Sequence, residues 1–219
     1  MAKKGDQGAT KSGYTRERIL DATASVLCQK GYAGTRLSDV ADVAELQAPA
    51  LYYYFDSRDE LIEEVVRLGQ QRAQQHVREA LDALPADTPP LDRLCAAVEA
   101  HLRVVLELSD YTMAAIRNLG QLPEGMRRRM LAEQRQYGKL WEELVADVHA
   151  AGIANPDVDL LSARMLIVGA LNWAPEWWNP RRTSVDDVVH TARTLVRHGL
   201  RADKRSASKT RTRGDRRTT

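Results

Sequence analysis

The chain has 219 residues, 43% of them hydrophobic and 28% charged, a composition that excludes a disordered or fibrous protein and predicts one domain or two small ones. Aromatic residues make up 5% and only one is Phe, so the core must consist mainly of Leu, Val, Ala, Ile and Met, which favours helices. The net charge of +2 divides into +3 in residues 1–18, +6 in residues 201–219 and −7 between them. Basic arms of this kind either contact nucleic-acid phosphates or are solvated and disordered, and for residues 201–219 we favour disorder because no large apolar side chain anchors them.

The first half of the chain shows apolar residues at helical spacing. Gly31 is a helix stop, and Ser57 and Glu60 form a capping box, in which the hydroxyl and the carboxylate bond free amides at a helix start. The periodicity predicts four helices, at residues 15–30, 37–44, 48–54 and from Ser57 to about Leu84.

The second half shows the same periodicity after a proline-rich linker at residues 84–90. It predicts a helix from Leu91, a short one at residues 112–119, a long one from Pro123 to near Gly152, and two more at residues 157–173 and 184–200. The prediction is therefore an all-α fold of about nine helices without a sheet.

Helices two and three have the lengths and the short connection of a helix-turn-helix unit, whose second helix enters the DNA major groove. At 100° per residue, the side chains of Tyr52, Tyr53 and Tyr54 fan across about 200° of a helix, so they cannot all face one core. At least one phenol must point outward, where its hydroxyl is well placed to donate to a phosphate oxygen.

This region contains GYAGTRLSDVA at residues 31–41, AEL at residues 44–46 and LYYYFDSRDEL at residues 51–61. The combination, over about residues 13–73, resembles the DNA-binding domain of TetR-family repressors. The resemblance implies a dimeric, all-helical regulator in which a small molecule changes the separation of two DNA-reading heads. It implies four segments: a flexible basic arm (1–12), a DNA-binding domain (13–73, helix-turn-helix about 36–55), an effector-binding and dimerisation domain (74–200) and a disordered basic tail (201–219).

The resemblance also assigns roles to individual positions. It implies phosphate contacts from Thr35, Tyr52, Tyr54 and Arg58, and base-edge contacts from Ser38, Gln47, Ala48, Ala50 and Tyr53. A glutamine can bond both N6 and N7 of adenine, and alanine methyl groups can pack on thymine methyl groups. The alternative for Gln47 is a helix cap, and one of the three tyrosines is expected in the core.

Arg36 stands where the family prefers Thr, and adds either a phosphate or a guanine contact. Residues 37–57 contain four acids and neither Lys nor Arg. Most electrostatic attraction to DNA must therefore come from the N-terminal arm, Arg36, Arg58 and helix N-termini.

The second half has no catalytic motif, and its histidines are scattered. His101 falls on an apolar helix face, where a core histidine is expected. Cys28 and Cys95 show no metal-ligand spacing. No apolar stretch reaches the roughly 20 residues of a membrane span, and the N-terminus lacks a signal core. We therefore expect no catalytic residues, cofactor, metal or membrane contact, and a cytoplasmic location.

A flexible apolar ligand needs soft walls of Met and aromatic side chains, although such residues at helical spacing are more often core. The candidate ligand-binding residues are Tyr111, Met113, Met126, Met130, Tyr137, Trp141, Met165 and Trp173. The tryptophan-rich segment at residues 169–180 is loosely similar to TetR-family regulators of fatty-acid and sterol breakdown, several of which bind acyl-CoA thioesters. If the ligand is an acyl-CoA, the three arginines at residues 127–129 either contact the phosphates of CoA or form a solvated face.

The last two helices carry more apolar surface than one contact requires, which predicts a two-fold homodimer through both of them. A dimer places two recognition helices on a pseudo-palindromic operator in double-stranded DNA. The expected function is a repressor released by a small hydrophobic or acyl-CoA-type effector. The first alternative is a ligand-independent dimeric regulator. The second, which the sequence favours less, is a helical enzyme or lipid carrier without DNA binding.

Overall fold

The computed structural model describes residues 11–108 and 110–202. Within them the chain forms nine α-helices and no strand beyond an isolated bridge between Ala154 and Arg201, which confirms the all-α prediction. The helices are α1 (Lys11–Gly34), α2 (Leu37–Val43), α3 (Ala48–Leu51), α4 (Arg58–Asp82), α5 (Pro90–Arg103), α6 (Asp110–Asn118), α7 (Glu124–Ala150), α8 (Leu160–Trp177) and α9 (Val185–Leu200). All but the first two residues of the predicted tail, and all but the last two residues of the predicted arm, lie outside the described residues.

The helix boundaries follow from local chemistry. Gly31 interrupts α1 with a φ of +69°, a value that glycine adopts without strain. The amide of Glu60 donates to the Ser57 hydroxyl at 3.1 Å, and the Glu60 carboxylate accepts from the amide of Asp56 at 2.7 Å. The capping box therefore forms, with its return bond one residue before the expected position.

Several helix boundaries differ from the sequence prediction. Helix α1 runs from Lys11 to Gly34 rather than over 15–30, and α8 begins at Leu160 rather than at residue 157. Helix α3 ends at Leu51 rather than near residue 54. A single π-helical turn, Val104–Leu108, continues α5. Helix α8 passes through Pro175 and ends at Trp177 rather than near residue 173, since a proline near the end of a helix removes only one backbone hydrogen bond.

Packing divides the described residues into two compact units, residues 11–73 with 108 and 110–134, and residues 74–107 with 135–202. The first boundary coincides with the predicted end of the DNA-binding domain, but α6 and the start of α7 pack with the first unit. Tyr111 of α6 donates its hydroxyl to Asp21 of α1 at 2.7 Å. A Cβ atom at Gly69 of α4 would lie 2.1 Å from the Tyr111 carbonyl oxygen, so only glycine permits this close approach.

In the second unit, α5 packs against α9 and α8. Two ion pairs support the α5–α9 contact, Arg193 with Glu99 at 2.6 Å and Arg197 with Asp92 at 2.5 Å. The apolar residues of α9 that are buried in the single chain are Val185, Val188, Val189, Val196 and Leu200. Most of the apolar surface that the sequence assigned to a second subunit on α9 is therefore covered within one chain.

Candidate nucleic-acid interface and interior polar cluster

A tight turn joins α2 to α3. Glu45 adopts a left-handed conformation with φ +54°, and the amide of Leu46 donates to the Ala41 carbonyl at 2.9 Å. Gln47 has extended backbone at the N-cap position of α3, but its side chain makes no capping hydrogen bond. The Gln47 side-chain amide is therefore exposed at the start of α3, and neither its N–H donors nor its oxygen is used to cap the helix.

The three tyrosines follow the end of α3 and divide between the surface and the core. Tyr53 is 81% exposed and Tyr52 is 59% exposed, whereas Tyr54 is half-buried and packs against the core. The Tyr53 and Tyr54 rings contact edge to face with centroids 5.1 Å apart. The prediction that at least one phenol points outward is confirmed, and two do.

The remaining base-contact candidates also lie at or near the surface. Ser38 is exposed, and Ala48 and Ala50 are half-buried. Together with Gln47 and Tyr53 they lie on α2, α3 and the turn that follows α3. These five positions are compatible with DNA contact, which stays a prediction.

Two of the phosphate-contact candidates also have internal partners. Thr35 is 2% exposed, and its hydroxyl donates to the Gly31 carbonyl at 2.8 Å. The Arg58 guanidinium donates to the Thr35 carbonyl at 2.6 Å and to the Tyr32 carbonyl, and it lies 4.5 Å from the centroid of the Tyr32 ring. These bonds link the start of α4 to the α1–α2 connection, and phosphate contact by Thr35 and Arg58 stays a prediction.

The charges around α2 and α3 are partly compensated. Asp39 pairs with Lys30 at 2.9 Å, while Asp42 and Glu45 are exposed. Arg36 caps α2 with extended backbone and no side-chain cap bond, and it makes no ion pair with any residue in the described ranges. Its exposed guanidinium is therefore available for a phosphate or a guanine.

The eight candidate ligand-binding residues fall in three places. Tyr111, Met126 and Met130 belong to the core of the first unit, where Met113 is half-buried on α6. Tyr137 and Trp141 lie on α7 within the second unit. Met165 and Trp173 are 62% and 64% exposed on α8. Helical spacing alone does not show which face of a helix is covered, and ligand contact by these residues stays a prediction.

The second unit contains a buried polar cluster that the sequence did not assemble. The Tyr137 hydroxyl lies 2.7 Å from His101 Nδ1, and Asn172 Oδ1 lies 3.1 Å from His101 Nε2. Because an amide oxygen only accepts, Nε2 carries the proton and Nδ1 accepts from the tyrosine. Burial lowers the pKa of His101 to about 4, so the ring is neutral near pH 7. His101 is thus the core histidine that its position predicts, with both nitrogens satisfied.

Trp141 closes this cluster from α7. Its ring centroid lies 5.8 Å from that of His101 and 6.0 Å from that of Tyr137, in edge-to-face arrangements. The cluster joins α5, α7 and α8, and its four members are 31 or more positions apart between helices. No spacing signal in the sequence links residues so far apart.

Other chemistry is limited in the part of the chain that the structure describes. No group of three or more His, Cys, Asp or Glu side chains there could hold a metal ion. Both cysteines are free thiols. None of the described helices is both long enough and apolar enough to cross a membrane.

Comparisons with known proteins identify the family. Residues 19–65 match the family described as bacterial regulatory proteins of the tetR family, and residues 87–200 match the tetracyclin repressor-like C-terminal domain. The regulator HbdR of Aromatoleum sp. (strain CIB) is 24% identical over 74% of this chain and 70% of its own. The repressor KstR2 of Rhodococcus jostii (strain RHA1) is 25% identical over 89% of this chain and 95% of its own.

A solved structure shows the same fold. The crystal structure of AibR in complex with isovaleryl coenzyme A and operator DNA is 19% identical, with a TM-score of 0.75 over 83% of this chain and 97% of that chain. With a tetR-type helix-turn-helix at its N-terminus and a family-specific domain over more than half its length, this chain belongs to the TetR family of helix-turn-helix transcriptional regulators.

Proposed function

We propose that this regulator is a repressor that binds a pseudo-palindromic operator as a homodimer and releases it when a small hydrophobic or acyl-CoA-type molecule binds. The observation that carries the DNA-binding part is the exposed set of Gln47 and Tyr53 beside a tight helix-turn-helix turn. The repressor KstR2 and the AibR complex, which holds both an acyl-CoA and operator DNA, support the rest by similarity. A DNA target implies that the protein acts in the cytoplasm.

The homodimer is supported by an uncovered apolar face on α8. Leu161, Met165, Trp173 and Trp177 follow one another at intervals of four or eight residues, so they form one ridge, and each is more than half exposed. Leu195 of α9 is 69% exposed as well. Contiguous exposed apolar surface of this kind marks an interface, and a second copy of α8 fits it by two-fold symmetry.

The arginines at residues 127–129 give little support to a CoA phosphate site. Arg129 makes a two-bond ion pair with Glu63, both bonds 2.6 Å long, and Arg128 pairs with Glu124 at 3.4 Å. A phosphate would have to displace these carboxylates. Within this proposal, the interior of the second unit therefore binds the effector, and it contacts the apolar part of that molecule.

Fluorescence anisotropy tests the proposal with the DNA upstream of the protein's own gene, against scrambled DNA, at about 0.15 M salt, where exposed charges are screened. We expect selective binding by the full chain. The variant Gln47→Ala should weaken binding to the upstream DNA about tenfold, the cost of a lost two-bond base contact, without changing binding to scrambled DNA. The control Gln75→Ala replaces an exposed glutamine of α4 and should change neither.

The same assay separates the alternatives. Equal binding to both DNAs, or none, would contradict the proposed operator recognition and favour a carrier. Selective binding that no acyl-CoA ester or apolar ligand releases would favour a ligand-independent regulator.

A further inference from the structure

A hydrogen-bond network around Arg58 joins the start of α4 to the end of α1. All three guanidinium nitrogens donate: Nε to the Thr35 carbonyl at 2.6 Å, Nη1 to the Asp59 carboxylate at 2.8 Å, and Nη2 to the Tyr32 carbonyl. The same Asp59 oxygen accepts from the Tyr32 hydroxyl at 2.9 Å, and the guanidinium lies over the Tyr32 ring. Arg58, Asp59 and Tyr32 therefore form one connected group, which we call the arginine network.

The arginine network ends on the peptide unit from which α2 starts. The Thr35 carbonyl belongs to the same planar peptide unit as the amide of Arg36, which is the N-cap residue of α2. The Arg36 side chain makes no capping bond, whereas the amide and the hydroxyl of Thr35 both donate to the Gly31 carbonyl. The start of α2 is therefore held through Thr35, by Gly31 on one side and by Arg58 on the other.

The chemistry of the network requires an arginine. A guanidinium presents donors on three nitrogens in a planar fork, whereas a lysine carries all its donors on one nitrogen and cannot reach three separate acceptors in the same way. The exposed Asp59 carboxylate lies beside the guanidinium, so a phosphate that approaches Arg58 meets a negative charge. Both observations favour an internal role for this guanidinium over a direct contact with DNA.

We propose that Arg58 is a positioning residue for operator binding, which together with Asp59 and Tyr32 holds the start of α2 so that Arg36 can contact DNA. This inference rests on the proposed function only in treating the DNA upstream of the gene as the operator. The alternative is the direct phosphate contact that the family resemblance implies for Arg58, and it predicts the opposite result for a lysine at this position.

The conservative variant Arg58→Lys separates the two roles in anisotropy measurements on the full chain. It keeps the positive charge that a phosphate contact needs but loses the network. We expect its binding to the upstream DNA to weaken about tenfold, as for the loss of one hydrogen bond to a charged group, while its binding to scrambled DNA stays unchanged. Loss of folded protein would instead weaken binding to both DNAs alike. Binding to the upstream DNA as tight as that of the parent would overturn the inference in favour of a phosphate contact.

Two exposed aspartates near the start of α4 supply a matched control. Removal of a negative charge near DNA should by itself strengthen binding, and we expect this of Asp56→Ala, because the Asp56 carboxylate lies outside the arginine network. Asp59→Ala removes the same charge but also the acceptor of Arg58 and Tyr32, so it should weaken binding to the upstream DNA. Equal strengthening by both substitutions would overturn the inference, even if Arg58→Lys does not fold.

A double-mutant comparison tests the route through Arg36. Arg36→Ala should weaken binding to the upstream DNA several-fold in the parent but cause little further loss in Arg58→Lys, because the two residues act as one unit. Equal losses in the two backgrounds would show that Arg58 does not act through Arg36, and would overturn the inference.

Hydrogen exchange in the free protein makes the test independent of DNA. The amide of Val40, which donates to the Arg36 carbonyl at 3.1 Å, should exchange about tenfold faster in Arg58→Lys and in Asp59→Ala, while the amides of α9 in the second unit keep their rates. Unchanged exchange in α2 would overturn the inference. A parent protein that binds upstream and scrambled DNA equally would refute the proposed function, and hydrogen exchange would then decide by itself whether the arginine network holds α2.

Discussion

Acid should destabilise the second unit through His101. The ring is buried and neutral, and burial lowers its pKa from the ordinary 6.5 to about 4. Because the unfolded chain takes up this proton at a higher pH than the folded chain, the contribution to stability is complete above about pH 6.5 and is lost as the pH falls towards 4.

The size of the effect follows from the two pKa values. The lowered pKa of His101 contributes at most about 3 kcal/mol to the free energy of unfolding. Of this contribution, about 2 kcal/mol is lost between about pH 7 and about pH 5. The variant His101→Gln isolates it, since an amide can accept from Tyr137 and donate to Asn172 but takes up no proton in this range. Other groups titrate equally in both proteins.

Urea unfolding, followed by tryptophan fluorescence at fixed protein concentration, measures the difference. All four tryptophans belong to the second unit, so the signal reports its unfolding. The free energy of unfolding of the parent should fall about 2 kcal/mol more than that of His101→Gln between the two pH values. Equal losses would refute the reasoning and mean that His101 is solvated or charged in the folded protein.

Three further predictions follow from particular positions. Gly169 lies within the exposed α8 ridge with open space around it, so Gly169→Arg should abolish the dimer in sedimentation experiments. The control Ala146→Arg, at an exposed position of α7, should remain dimeric. A dimeric Gly169→Arg would refute the α8 interface. Both amide atoms of Gln70 are buried without a partner in the described residues, so Gln70→Met should raise the free energy of unfolding by about 1–2 kcal/mol, and a decrease in urea titrations would show that a water or ligand bonds the amide. Glu45→Lys should tighten DNA binding and steepen its salt dependence by about one unit of slope, and an unchanged slope would show that the turn stays away from phosphates.

Local signals made the helix-turn-helix predictable from sequence. A glycine, a capping box and three consecutive tyrosines act over a few residues, and each leaves a trace in the structure: a kink at Gly31, a cap at the start of α4 and two exposed phenols. Thr35 and Arg58 show the limit of such signals. Their partners, the carbonyls of Gly31, Tyr32 and Thr35, are backbone groups whose positions depend on how α1 meets α4, and side-chain patterns do not reveal backbone acceptors.

The second half was harder because periodicity identifies a helix without identifying the neighbour of each face. Met165 and Trp173 were expected in a pocket, yet they lie on the exposed α8 ridge. The α9 valines were expected at a subunit interface, yet they are buried in the single chain, where α9 packs on α5. His101 was expected in a core, but its partners on α7 and α8 depend on tertiary packing alone.

Operator recognition through α2 and α3 is tested most directly by selecting the fragments of the source organism's genomic DNA that bind the parent protein or a Gln47→Ala, Tyr53→Ala double variant. We expect the parent to enrich a few fragments that share an inverted repeat, with half-sites about one helical turn or a multiple of it apart. The double variant should lose this enrichment. Enrichment of the same fragments by both proteins, or of none by the parent, would contradict operator recognition through α2 and α3.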